Sequence, residues 1–178
     1  MKLLTGEAIP ENSMALRSAL ILLATYAQSA TADFLNGVVV RVTDGDTITV
    51  LDNSRTQHKV RLAGIDAPES HQAFGQRSRQ YLASMVFHKQ VGVEWAKHDR
   101  YGRTIGKVPV DGKDVNVRLV QAGLAWHYKA YVREQSPSDA ILYAEAENRA
   151  RKRHDGLWAE AHAVPLWEWR KSTKSRSP

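Results

Sequence analysis

The sequence predicts an α+β domain: a five-stranded β-barrel of the OB type with three α-helices. Three observations predict it. Five short runs rich in β-branched residues are separated by turn residues, a segment with helical spacing sits between the third and fourth runs, and two further helical segments follow the fifth. Short strands interrupted by one helix suit a small closed barrel.

Gly37–Val42 is the first run, and Thr47–Leu51 the second, ending at the turn residues Asp52-Asn53-Ser54. His58–Ile65 is the third and ends before Asp66-Ala67-Pro68. These three read as a meander. In Gly75–Phe87 the residues Leu82, Met85 and Val86 fall at helical spacing. Val91–Lys97 alternates Val91, Val93 and Trp95 against Gly92, Glu94 and Ala96, the period of a strand. The turn Asp99-Arg100-Tyr101-Gly102 then leads into a fifth strand, Thr104–Val110. Asp111-Gly112 turns the chain into a short helix, Val115–Ala122, stopped by Gly123. The last helix begins at Pro137, with Ser136 as N-cap and Asp139 in its first turn, and runs to about Arg153, with Gly156 capping its end. Trp167-Glu168-Trp169 is expected to dock on the domain.

Residues 1–32 read as a secretory signal peptide. Ala19 to Ala27 is an apolar run too short to span a bilayer, Arg17 precedes it, and Ala30-Thr31-Ala32 gives a small-residue cleavage pattern before Asp33. Met14 is an alternative start, because Met14–Ala32 is by itself a compact signal. A membrane anchor or a buried N-terminal helix is the competing reading. Cleavage would leave a secreted or periplasmic domain over residues 33–170, with no stable membrane association, and a basic, Ser-rich tail at 171–178 that is expected to be disordered. Cys is 0, which excludes disulfides, thiolate ligands and a Cys nucleophile. Lys+Arg is 25 against Asp+Glu 19, a net charge of +6 that favours an anionic partner such as nucleic acid. No internal repeat and no protein-docking motif is visible, and a monomer is expected.

The chemistry gathers around "RVTDGDTITV". Asp46 opens the second strand and Asp66 closes the third. If these strands form a hairpin, the two carboxylates share one rim. Like charges so placed call for a proton or a cation. Oxygen ligands without His or Cys select a hard cation, Ca²⁺ or Mg²⁺. The plain alternative is that Asp44-Gly45 is only a turn. Arg61 lies an odd number of residues before Asp66, so an ideal strand would put them on opposite faces. Gly64 between them predicts distorted backbone that re-aims one of them. Glu69 lies just beyond Pro68, positioned either to reach the same rim or to cap the next helix. Arg103 leaves the turn beside Gly102, and an exposed hairpin arginine is its ordinary reading. Together the set would suit phosphodiester hydrolysis. Glu69 would activate water, a cation on Asp46 and Asp66 would polarise one phosphoryl oxygen, and Arg61 and Arg103 would fork onto the others.

At these residues the chain resembles the staphylococcal nuclease (thermonuclease) family. The matching pieces are "VTDGDTITV", "VRLAGIDAPES", "DRYGRTIG" and "VNVRLVQAGLAW", in the family's order and spacing and within about Gly37 to Trp158. The resemblance implies an OB-fold barrel with three helices that hydrolyses DNA and RNA using Ca²⁺ and leaves 3′-phosphate ends. It implies Asp46 and Asp66 as carboxylate ligands, and Ala67 as a backbone-carbonyl ligand where better-known members carry Thr. It implies Arg61, Glu69 and Arg103 as catalytic residues, with Asp44 behind the metal, orienting its water. Arg100, Tyr101 and Tyr131 match positions that line the nucleotide pocket. Trp126 and Tyr128 stay open between stacking on a base and packing, and His127 is read as structural. The loop after Glu69 looks shorter than in the staphylococcal enzyme, so substrate contacts there do not carry over. The alternative function is a non-catalytic OB-type nucleic-acid-binding module. A structural Ca²⁺-binding domain is a third reading, and it leaves the two arginines without a purpose.

Overall fold

A computed structural model of the chain describes residues 33–159 and Pro165. The expected signal segment 1–32, the Trp167-Glu168-Trp169 segment and the tail 171–178 lie outside those residues. Among the described residues, no helix is long and apolar enough to cross a membrane.

Five strands close the barrel in the order β1-β2-β3-β6-β5: β1 (Asp33–Asp44), β2 (Thr47–Asp52), β3 (Gln57–Leu62), β5 (Gln90–His98) and β6 (Thr104–Lys107). All pairs are antiparallel except β3 with β6. Three helices pack on it: α1 (Gly75–Val86), α2 (Val115–Gln121) and α3 (Pro137–Lys152). This is the α+β, OB-type barrel that the sequence predicts. Inward-facing Val39, Ile48, Val50, Val60 and Val93 are fully buried, and Leu82, Leu119 and Tyr143 close the core from the helices. The alternating β-branched pattern places these residues on one face, and burial of that face drives closure.

β1 is longer than the run Gly37–Val42. Asp33–Val38 pairs with β5 and Gly37–Asp44 with β2, so one strand joins both edges. Its first residues are fixed by backbone pairing, which leaves little side-chain signature. Register shifts at Val40 and Thr43 keep Val39 and Val42 inward while Arg41 points out.

The third predicted strand is broken. β3 stops at Leu62, Gly64 turns the chain at φ +72, and Ile65–Asp66 (β4) pairs with Trp126–His127 (β9). Only glycine enters that backbone region without strain. Asn116 fills the hydrogen-bonding gap left where β3 and β6 part. Its Nδ2 donates to the carbonyls of Ala63 (3.0 Å) and Gly106 (3.1 Å), and its Oδ1 accepts from Val108 N (3.2 Å).

The fifth predicted strand is also split. Pro109 lacks an N–H, so β6 ends at Lys107, and Pro109–Val110 (β7) instead forms a small hairpin with Lys113–Asp114 (β8). Asp114 then caps α2, accepting from Asn116 N and Val117 N. Ser136 caps α3 as predicted, accepting from Asp139 N at 3.1 Å. Gly123 (φ +66) ends α2 in the left-handed region, but Gly156 does not cap α3 as expected: α3 stops at Lys152, His154 takes the left-handed position after it (φ +57), and Gly156 opens a separate 3-10 turn, Gly156–Ala159.

Candidate active site

β2 and β3 pair with Thr47 opposite Arg61, so the residue before β2 meets the end of β3. Leu62 N donates to the Asp46 carbonyl at 2.9 Å and fixes that meeting. The Gly64 turn then brings Asp66 back to the same rim. Arg61 and Asp66 end on one side because the strand breaks, as the odd spacing required.

Arg61 lies between the two carboxylates. Its Nη1 is 2.9 Å from Asp46 Oδ2 and its Nη2 is 2.5 Å from Asp66 Oδ1. The side chains of Arg61, Asp46 and Asp66 are 12%, 4% and 1% exposed. Burial works against the guanidinium's charge, but Asp46 and Asp66, with the hydrogen bond to Asp66, outweigh it and hold its pKa above the ordinary value. Asp46 is further fixed by the Thr47 hydroxyl, which donates to Oδ1 (2.9 Å), and by Ala67 N, which donates to Oδ2 (3.0 Å).

Glu69 stands on a short loop pinned at several points. Its N–H donates to Gln72 Oε1 (2.7 Å), and its carbonyl accepts from Gln72 N (2.8 Å). Ser70 Oγ donates to Asp44 Oδ1 at 2.9 Å, which ties this loop to the turn before β2. Gly75 is required by close approach: a Cβ there would lie 1.9 Å from the Glu69 carbonyl oxygen.

Arg103 precedes β6, beside β3. The parallel register Val60–Thr104 and Arg61–Ile105 sets Arg103 next to Lys59 and diagonal to Arg61 on the same outer face. Its Nε and Nη2 each lie 2.7 Å from Asp99 Oδ2, while Asp99 Oδ1 accepts from Arg103 N and Tyr101 N. Two of its five N–H groups are thus engaged, and three are left for a ligand. Tyr101 is 68% exposed between Arg103 and Arg100, whose guanidinium carbons lie 5.5 and 4.8 Å from its ring centre. Tyr131 is half exposed, 5.1 Å from the Tyr128 ring, with Lys97 Nζ at 5.4 Å.

A family model described as "Staphylococcal nuclease homologue" matches residues 59–160. The chain is 46% identical over 155 residues to the "Micrococcal nuclease" of Shigella flexneri, covering 82% of this chain and 86% of that one. It is 36% identical over 163 residues to an "Uncharacterized endonuclease" of Haemophilus influenzae, covering 92% and 88% of the two chains. It is also 39% identical over 116 residues to "Staphylococcal-like nuclease CAN1" of Arabidopsis thaliana, covering 65% of this chain and 34% of that one.

The chain belongs to the staphylococcal nuclease family.

In this staphylococcal nuclease-family chain the expected carboxylate ligands and Arg61 lie together. Asp46, Asp66, Arg61 and the Ala67 backbone converge at one point, and Arg103 stands on the adjoining strand. Asp44 lies beside them, with one oxygen taken by Ser70. Asp44-Gly45 does turn the chain between β1 and β2, as expected. Gly45 has no positive φ; glycine is needed because a Cβ there would lie 1.9 Å from Ser78 Oγ on α1 and 2.8 Å from the Ala67 Cβ. Trp126 is a packing residue, 2% exposed against Leu157. His127 is structural, buried with Nε2 2.8 Å from Gln135 Oε1. Sequence reasoning missed Ser70 and Ser78, since a lone serine carries no signature.

The donor set suits a hard divalent cation. It is all oxygen, it is buried, and two carboxylates against one guanidinium leave a net charge of −1. Among the described residues, no group of three or more His, Cys, Asp or Glu forms a metal cluster. Further ligands would therefore be backbone carbonyl, water or substrate oxygen.

Proposed function

We propose that this chain is a Ca²⁺-dependent nuclease, exported from the cytoplasm, that hydrolyses phosphodiester bonds of DNA, RNA or both with little sequence preference and leaves 3′-phosphate ends. The observation that carries the reading is the Asp46–Arg61–Asp66 cluster at the rim of a nuclease-family barrel, with Arg103 on the same outer face. Export rests on the signal-like pattern of residues 1–32.

In this reading Asp46, Asp66 and the Ala67 carbonyl would hold the cation, which when bound supplies positive charge to a phosphoryl oxygen. The protein's own groups do the rest. Arg61 and Arg103 approach the phosphate from neighbouring strands, and their forked N–H groups stabilise the charge that builds on its oxygens. Glu69 takes the proton from the attacking water. Its short, pinned loop limits how far that carboxylate can wander, which lowers the entropy lost in aligning it. Arg100, Tyr101 and Tyr131 contact the nucleotide next to the scissile phosphate. None of these contacts reads a base edge, so sequence preference is weak.

The test is digestion of end-labelled single- and double-stranded DNA and RNA across Ca²⁺ and Mg²⁺, followed by identification of the product ends. Cleavage is expected with Ca²⁺ and none with EGTA. Cleavage that survives EGTA overturns the metal assignment. Binding without cleavage under every condition overturns the nuclease reading in favour of a binding module.

A further inference from the structure

Three outward-facing cations form a row across the barrel, on the face that carries Arg61, with Arg103 at its end. Ile48, Val50 and Val60 are fully buried and point inward, so Thr49 and Lys59 point outward. Arg41 pairs with Thr49, Thr49 pairs with Lys59, and Arg103, just before β6, follows by extension of the Val60–Thr104 register. With strands about 4.8 Å apart, the row from Arg41 to Arg103 crosses three gaps and spans about 14 Å.

Arg41 and Lys59 are exposed, and no carboxylate pairs with either among the described residues. Thr49 lies buried between them. Like charges set on one face without a carboxylate between them disfavour the sheet. An anionic ligand laid across the row reverses that effect. At its far end the row meets Arg103, Arg100 and the exposed ring of Tyr101, a stacking surface that both guanidinium groups approach. Alternating phosphate contacts and a stacking ring fit a flexible single strand better than a rigid duplex or an acidic protein.

We propose that Arg41 and Lys59 form a phosphate track that carries the single-stranded substrate across β1, β2 and β3 and into the site at Arg103. This deepens the nuclease reading and rests on it for the substrate class. The track lies outside the bond-breaking cluster, so it acts on long substrates and leaves the shortest ones untouched.

The experiment compares the parent chain, the double variant Arg41→Gln/Lys59→Gln and a charge-matched control, Lys113→Gln/Lys152→Gln, whose sites are exposed elsewhere. Binding of a fluorescent single-stranded oligonucleotide is followed by anisotropy across salt concentration, with EDTA present and the strand checked for intactness. Cleavage of a long single strand and of a dinucleotide is measured separately with Ca²⁺. For the track variant, the slope of log affinity against log salt should shrink by about 1.4, as two lost phosphate contacts on a single strand require. KM for the long strand should rise severalfold, while dinucleotide turnover stays at the parent value. The control should match the parent in all three. An unchanged slope in a track variant that melts like the parent overturns the proposal, as does an equal loss in the control, which would make net charge the cause. If the parent cleaves neither substrate, the nuclease reading fails by itself, and the salt slope still decides the track. Tighter binding of an acidic polypeptide than of the oligonucleotide, abolished in the track variant, also overturns the assignment of substrate.

Discussion

Ser70 Oγ donates a 2.9 Å hydrogen bond to Asp44 Oδ1 across 26 residues of sequence. Asp44 sits in the turn that delivers Asp46, and Ser70 follows Glu69. One hydrogen bond therefore sets the distance between the carboxylate cluster and the loop that carries the proposed base. Asp44 was expected to act on metal-bound water. Its observed partner gives it a second task, holding the Glu69 loop.

Ser70→Ala should therefore slow turnover without unfolding the protein. A net hydrogen bond contributes about 1 kcal/mol, so kcat should fall about five- to tenfold, with KM nearly unchanged. Ser70→Thr keeps the hydroxyl and should restore most of the rate. A parental kcat in Ser70→Ala would show that the loop holds its place without this bond. Melting curves of the three proteins check that the fold is intact.

Asp99 makes the second clamp, on Arg103. Burial pushes its pKa up, but the Arg103 backbone N–H, the Arg103 side chain and the Tyr101 N–H together hold it below its ordinary value near 3.8. A carboxylate with a lower pKa folded than unfolded adds stability above the unfolded value and loses it as pH falls through the folded one. The parent should lose stability on acidification below about pH 4, and Asp99→Asn should lose less over that interval while starting lower at neutral pH. Denaturant unfolding at several acidic pH values measures the two slopes. Because Arg103 also loses its charged anchor, kcat should drop about tenfold, equivalent to about 1.4 kcal/mol. Parallel pH profiles for the two proteins would remove Asp99 from acid stability.

The barrel was legible because its strands bury one face each, and that face is written as alternating Val and Ile. What the sequence concealed was non-local. Ile65 continues the apolar run of the third strand, yet it pairs with His127, a partner that no local pattern announces. Pro109 does announce a break, but Val108 and Val110 around it read as one continuing strand. At the site, Asp46, Asp66 and Arg61 could be gathered by hairpin logic plus the Gly64 bend. That one guanidinium serves both carboxylates could not, because it depends on how far the chain turns at Gly64. The Ser70–Asp44 bond joins two common residue types with no spacing rule between them.

Gly45 tests the contact between the turn before β2 and α1. A Cβ there would lie 1.9 Å from Ser78 Oγ, 2.6 Å from Ser78 Cβ and 2.8 Å from Ala67 Cβ. Gly45→Ala should destabilise by about 1–3 kcal/mol, read as a lower denaturation midpoint. Adding Ser78→Gly should recover only part of that, since Ala67 still blocks the new methyl. Full recovery would mean that the turn tolerates the methyl once α1 yields. No loss at all would place α1 farther from the turn than it stands here.

Arg61→Ala is the most informative change, because the proposed function gives Arg61 two tasks that call for different readouts. As a phosphate ligand it matters only during turnover. As the shared counter-ion of Asp46 and Asp66 it matters to the folded state, since removing it leaves two buried carboxylates facing each other at 4% and 1% side-chain exposure. Breaking a buried ion pair from one side costs about 3–5 kcal/mol, so the variant should unfold at markedly lower denaturant when metal is chelated. A divalent cation bound by the same carboxylates opposes that loss. Ca²⁺ should therefore stabilise Arg61→Ala by more than it stabilises the parent, by the usual binding linkage. Turnover should stay low even with Ca²⁺ saturating, because the phosphate has lost one of its forked donors. Denaturation of both proteins with EGTA and with Ca²⁺, beside kcat under Ca²⁺, separates the tasks. Equal Ca²⁺ stabilisation of the two proteins would mean that the cation and the guanidinium do not share these carboxylates. Parental turnover in a folded Arg61→Ala would leave Arg61 with the counter-ion task alone.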